Sequence, residues 1–344
     1  DDKLRSLGWE PQKKFDEAIT LSRKALALKS DNADAYFNIG NALEAQGKLH
    51  EAIASFRQVL TLKPDNADAH YNIGNALKAQ GNQRAAITSY HKALTLRPDH
   101  ANTHNNMGLA LQDQGKLDEA IISFRQALAL KPGDLGVYFN IGNLLNGVKF
   151  IKPNKGMSEI IQEILEKNNL VRPINISGAA LSLLKQEPLI KKLIIEKSNK
   201  TLSPNINEKI FSLSKIPLLM TLMRLCPITD LDLEALLIRT RFELLKNLMN
   251  LKNIPEIIQF QISLSMQCFI NEYLYDEMDI EREYILDLEN RIKNKVERND
   301  CPTANEIACL ASYKPLGELS WLSHSAIPTE LNSIYLQQVF EPKK

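Results

Sequence analysis

The chain has 344 residues, 44% of them hydrophobic, which is enough for about two domains with real cores. Its 42 Lys and Arg against 41 Asp and Glu leave a net charge of +1, and neither half carries the basic excess of a nucleic-acid-binding protein. No apolar run approaches the ~18 residues of a membrane span, so the composition predicts a soluble, cytoplasmic protein whose partners are neither nucleic acid nor membrane.

In residues 1–30 one amphipathic helix is legible. It carries Ala18 and Ala25 in a pattern that the following stretches repeat, with Ser22 where they have an aromatic and Ser30 where they have proline. Residues 31–64, 65–98 and 99–132 form three full units with a step of 34 positions, and 133–146 supplies the first helix of a fourth. Gly40, Gly74, Gly108 and Gly142 keep that step. So do Ala52, Ala86 and Ala120, the aromatics Phe56, Tyr90 and Phe124, and Pro64, Pro98 and Pro132. Within a unit, Tyr36, Ile39 and Leu43 share one helical face and Ile53, Phe56 and Leu60 share another, so each unit is a pair of amphipathic helices. Gly40 and Ala52 are small where two backbones must approach, Gly47 sits at the turn, and Pro64 stops the second helix. Such a hairpin cannot bury its apolar face alone, and stacking on its neighbours solves the problem.

This period and residue order resemble the tetratricopeptide repeat. The resemblance implies an all-α solenoid whose inner face comes mainly from the first helix of each hairpin. Carried over by position, that face holds Asp34, Phe37, Asn38, Asn41 and Glu44, then Asp68, Tyr71, Asn72, Asn75 and Lys78, then Asn102, Asn105, Asn106, Gln112, Phe139, Asn140 and Asn143. Asn38, Asn72, Asn106 and Asn140 form a ladder similar to the one along the repeats of O-GlcNAc transferase. The candidate peptide-binding set is Phe37, Asn38, Asn41, Tyr71, Asn72, Asn75, Asn106, Phe139, Asn140 and Asn143. A carboxamide both donates and accepts, so a ladder of them can bond the backbone of an extended peptide whatever its side chains. Asn is also a mediocre helix former, and its return at one mid-helix register calls for a local role or a ligand. The cationic clamp with which another class of these repeats holds carboxylate tails is missing, since Phe37, Tyr71, Asn105 and Phe139 precede the ladder positions. His70 and His104 stand at the register of Tyr36 and are expected in the core.

Residues 147–156, with Pro153 and Gly156, break the period and read as a linker, and 157–344 reads as a second all-helical domain. Ile160, Ile161, Ile164 and Leu165 share one helical face. Pro188, Pro217 and Pro255 fit first-turn positions, Thr229 precedes a strong helical pattern, and Thr303 with Glu306 is a capping-box signature. The four cysteines, Cys226, Cys268, Cys301 and Cys309, show no C-x-x-C spacing, so no metal site is assigned, and Cys268 is expected as a buried small hydrophobe. Only Gly178 and Gly317 follow Gly156, too few for a phosphate loop or dinucleotide fingerprint, so no catalytic or cofactor-binding residue is assigned either. The acidic run of Glu272, Asp276, Glu277, Asp279, Glu281 and Glu283 reads as a solvated helix start.

The runs Gly-Ala-Ala-Leu-Ser-Leu-Leu from Gly178, Leu-Cys-Pro-Ile-Thr-Asp-Leu-Asp-Leu-Glu from Leu225, Gln-Cys-Phe-Ile-Asn-Glu-Tyr from Gln267 and Tyr-Leu-Gln-Gln-Val-Phe-Glu-Pro from Tyr335 look like a bacterial family. In that family repeats and a helical region precede an S-adenosylmethionine-dependent methyltransferase domain. The resemblance implies a non-catalytic module that recruits protein substrate for an enzyme domain beyond Lys344. Gln337, Gln338 and Glu341 would then lie in the hinge, and S-adenosylmethionine would be a cofactor of the missing domain rather than of this chain. A stand-alone scaffold and the recruiting half of an O-GlcNAc transferase-like enzyme remain the alternatives.

Overall fold

The computed structural model describes residues 11–167, 172–196, 205–270, 279–322 and 327–331, and every regular element among them is helical. The chain divides into two compact units, Asp1–Leu144 and Leu145–Lys344.

The first unit contains α1 (Pro11–Leu28), the hairpins α2/α3 (Ala33–Ala45, Leu49–Leu62), α4/α5 (Ala67–Ala79, Gln83–Leu96) and α6/α7 (Ala101–Asp113, Leu117–Leu130), and α8 (Leu135–Leu144). The first two hairpins start where a side chain satisfies open N–H groups of the first turn. Asn32 accepts from the N–H groups of Asp34 and Ala35, and Asn66 accepts from that of Ala69. Each first helix ends at a glycine in the left-handed region, Gly47, Gly81 and Gly115, with φ of 74°, 78° and 73°. The two helices then close on each other through a glycine–aromatic pair. A β-carbon built on Gly40, Gly74 or Gly108 would lie 2.5, 2.5 or 2.7 Å from the ring of Phe56, Tyr90 or Phe124. Those three rings are fully buried, and burying one such side chain stabilises by about 1.5 to 3 kcal/mol.

His70 and His104 are half-buried rather than core. An imidazole keeps a polar atom that must be satisfied, and the Nε2 of His104 lies 3.0 Å from the carbonyl oxygen of Pro98 at the rim of its hairpin.

The second unit contains α9 (Lys155–Glu166), α10 (Pro173–Leu184), α11 (Pro188–Ile195), α12 (Ile206–Ser214), α13 (Pro217–Leu225), α14 (Leu231–Lys246), α15 (Pro255–Ile270), α16 (Asp279–Glu297) and α17 (Ala304–Ala311). Pro188 and Pro217 open their helices as expected, where a missing N–H costs nothing. At α14, which starts two residues after Thr229, the cap is Asp230: its carboxylate accepts from the N–H groups of Asp232 and Leu233. The capping box of α17 is complete, with Thr303 Oγ1 accepting from the Glu306 N–H and Glu306 accepting from the Thr303 N–H at 2.7 Å. The central element is α15, buried from Ile257 to Cys268 apart from Gln259 and packed on α12, α13 and α17.

Glu281 corrects the reading of the acidic run. Asp279 and Glu283 are exposed, whereas Glu281 is 1% exposed; Glu272, Asp276 and Glu277 lie outside the described residues. The Glu281 carboxylate accepts from the Tyr313 hydroxyl at 3.0 Å and lies 3.8 Å from Nη2 of Arg241, itself 1% exposed. The Arg241 guanidinium stands 4.2 Å over the Tyr313 ring. A buried charge is tolerable only when paired and hydrogen-bonded, and this cluster ties α14 and α16 to the segment that follows α17.

Candidate peptide-binding groove

The first-helix face is built by side chains three and four positions apart, which neighbour each other on a helix. Its carboxamides bond from hairpin to hairpin. Asn72 Nδ2 donates to Asn41 Oδ1 at 2.9 Å, and one step further Asn106 Nδ2 donates to Asn75 Oδ1 at 2.9 Å. The next step changes partner. Leu109 stands at the register of Asn41 and Asn75, so Asn140 Nδ2 donates to Asn105 Oδ1 instead, again at 2.9 Å.

Around Asn75 the bonds multiply. Its Oδ1 also accepts from the Tyr90 hydroxyl at 2.9 Å, and Asn106 Nδ2 donates a second bond to the Tyr71 oxygen at 3.1 Å. Burial holds the Tyr90 hydroxyl well above the usual phenol range, with the nearby charge of Glu44 acting in the same direction. Tyr71 stacks edge-on against His100 at 5.0 Å and lies 6.2 Å from Tyr90, and Phe37 meets Phe56 edge-on at 5.6 Å.

The candidate residues therefore fall into two groups. Asn41, Asn72, Asn75, Asn106 and Asn140 are joined across hairpins, and Phe37 and Tyr71 are half-buried beside them. Asn38, Asn143 and Phe139 are exposed, and neither Asn38 nor Asn143 takes part in the ladder bonds. The remaining hydrogen-bonding capacity can be counted from one oxygen and two N–H groups per carboxamide. Asn38 and Asn143 keep all of theirs, Asn41 keeps both N–H groups, and Asn72 and Asn140 keep the oxygen and one N–H; Asn106 has spent both N–H groups. Between α1 and α2, Phe15, Ala18, Leu21, Ser22, Asn38, Asn41 and Ala42 line a hollow of about 420 Å³. Asn105 and Tyr90 belong to this network although they stand outside the candidate set. The Leu109 substitution was the available signal for Asn105.

Two charged groups share the next position along the face, Glu44 and Lys78, both half-buried. Burial pushes the Glu44 carboxyl up, and burial pulls the Lys78 ammonium down while Asp113 partly restores it.

In the second unit three of the four thiols are buried and inert, and Cys301 is exposed. Burial pushes Cys226 and Cys268 up to about 11 and Cys309 up to about 12. No group of His, Cys, Asp and Glu among the described residues could hold a metal ion. No described helix is long and apolar enough to cross a membrane. Gly178 lies inside α10 and Gly317 inside a 3-10 turn, so neither of them forms a glycine-rich strand-to-helix loop.

The family model described as TPR repeat matches residues 12–47, 40–81 and 74–115, and the one described as Tetratricopeptide repeat matches 101–134. Among solved structures, MamA is 27% identical over 48% of this chain and 92% of its own, with a TM-score of 0.40. YrrB, described as a TPR protein with an unusual peptide-binding site, is 25% identical over 48% of this chain and 79% of its own, with a TM-score of 0.37. The first TPR of Spaghetti (RPAP3), bound to HSP90 peptide SRMEEVD, is 22% identical over 34% of this chain and 92% of its own, with a TM-score of 0.33. No curated protein matches the sequence.

Proposed function

Residues 12–134 being tetratricopeptide repeats, we propose that their first-helix face binds an extended peptide segment of a protein partner and that the chain performs no catalysis itself. The observation that carries this reading is the unspent hydrogen-bonding capacity of Asn38, Asn41, Asn72 and Asn140. The cross-hairpin bonds hold Asn41, Asn72 and Asn140 at fixed spacing, so they lose little rotamer freedom on meeting a peptide backbone. The test is a peptide array probed with wild type and with Asn38→Ala/Asn72→Ala at matched helicity. Each lost hydrogen bond should cost about 0.5 to 1.5 kcal/mol of binding; equal retention by both proteins would sink the reading.

A second reading extends the first. The runs beginning at Gly178 and Leu225 fall on α10 and on the α13–α14 junction, the one beginning at Gln267 starts in the last turn of α15, and the one at Tyr335 lies outside the described residues; together they support a bacterial methyltransferase parent for which this chain recruits substrate. S-adenosylmethionine would then supply its methyl group in another domain, and an O-GlcNAc transferase-like parent is the less favoured variant. Calorimetry should find no S-adenosylmethionine binding to residues 1–344, and a micromolar site there would overturn this division of labour.

A further inference from the structure

Along the first-helix face the charged groups are not equally compensated. Asp34 pairs with Lys63 at 3.0 Å, Asp68 pairs with Arg97 at 2.8 Å, and Asp113 accepts from Gln83 while facing Lys78. Glu44 is the exception. It is half-buried, three residues from Asn41 on the same helix face, and it has no ion-pair partner among the described residues. Its charge reaches the Tyr90 hydroxyl, which donates to Asn75, so it borders the most densely bonded part of the ladder. Lys78 and Gln112 hold the same register in the next two hairpins, so this uncompensated negative charge occurs once along the face.

We propose that Glu44 receives the lysine or arginine side chain of the bound peptide, and thereby selects extended segments with a basic residue at one position while the carboxamides tolerate the others. The inference rests on the peptide-binding reading. A half-buried carboxylate has lost part of its hydration, and a cation brought to it restores that loss and discriminates against an acidic residue at the same place. Burial's upward push on the Glu44 carboxyl, with no cation opposing it, agrees with this.

The test is an array of twelve-residue peptides in which each position is scanned with Lys, Arg, Gln and Glu, probed with wild type, Glu44→Gln, Glu44→Lys and Asn38→Ala/Asn72→Ala. Circular dichroism confirms equal helicity. Wild type should prefer Lys or Arg at one position, Glu44→Gln should weaken those peptides about tenfold and leave the Gln peptides unchanged, and Glu44→Lys should move the preference to Glu. A wild-type profile identical to that of Glu44→Gln overturns the inference and leaves peptide binding standing. Undiminished retention by Asn38→Ala/Asn72→Ala removes the peptide-binding reading and this inference with it.

Discussion

The ring of Tyr90 fills the space that a β-carbon on Gly74 would need, since one built there lies 2.5 Å from Cε1. Neither side can give way easily, because Gly74 is mid-helix and the Tyr90 ring is fully buried with its hydroxyl bonded to Asn75. Gly74→Ala should therefore destabilise the first unit by about 1 to 3 kcal/mol through overpacking, despite the better helix propensity of alanine. Urea unfolding of Gly74→Ala, Tyr90→Ala and the double variant checks it. The pair should be less than additive, because removing the ring removes the clash.

Asn75 and Asn38 separate a structural from a binding role within one repeated pattern. Asn75→Ala strands the Tyr90 hydroxyl and one Asn106 bond, which should cost about 1 to 3 kcal/mol of stability. Asn38 is exposed, so Asn38→Ala should change stability by less than about 0.5 kcal/mol and be felt only in peptide retention. Equal thermal shifts for the two variants would contradict the division of the carboxamides into structural and binding groups.

The hairpins were legible because each demand they make falls on one residue type at one spacing. A close approach asks for Gly40, a left-handed turn for Gly47, a buried filler for Phe56, and these recur where the geometry recurs. The ladder was legible as a register of asparagines but not as a set of bonds between hairpins. That depends on how neighbouring hairpins stack, and only the change to Leu109 hinted that Asn140 would turn to Asn105. Glu281 was misread for a related reason. An acidic run at a helix start marks the stretch as solvated, whereas Arg241, which pairs with the carboxylate, and Tyr313, which donates to it, stand far away in sequence.

Removing Arg241 should do more harm than removing the whole ion pair. Arg241→Met leaves Glu281 buried at 1% exposure without its cation, a loss of about 3 to 5 kcal/mol, whereas Arg241→Met/Glu281→Leu replaces charge by apolar volume and should recover much of it. Denaturant midpoints of the two variants decide. A double variant as unstable as the single one would show that the geometry of Arg241, not its charge, holds the helices.

Thiol accessibility should divide the cysteines one against three. Cys301 is exposed, while Cys226, Cys268 and Cys309 are buried with their thiols pushed up by that burial. The native chain should therefore react with an aromatic disulfide reagent at one site quickly, and at the other three only as fast as it unfolds. Cys301→Ser should abolish the fast phase, and a second fast thiol would mean that one of the buried set opens locally.

Acid should weaken the second unit partly through Glu306. Burial alone would push its carboxyl up, but the Lys295 ammonium at 2.8 Å and the N–H and hydroxyl of Thr303 outweigh it and hold the group below the usual glutamate range. A carboxylate depressed in the folded state binds its proton later than the unfolded chain does. Its contribution is therefore fully present above the unfolded value of about 4.3 and disappears as pH falls through the lower folded value. Asp134 in the first unit and Glu256 in the second are depressed as well, so the informative quantity is the difference between wild type and Glu306→Gln. At about pH 6 the variant should melt lower, having lost the charged half of the capping box and the Lys295 pair. Between about pH 5 and pH 3 the two melting curves should converge, because wild type then acquires the proton that the amide mimics. A gap that stays constant across the titration would mean that the α17 cap contributes through its hydrogen bonds alone and that the charge on Glu306 is immaterial.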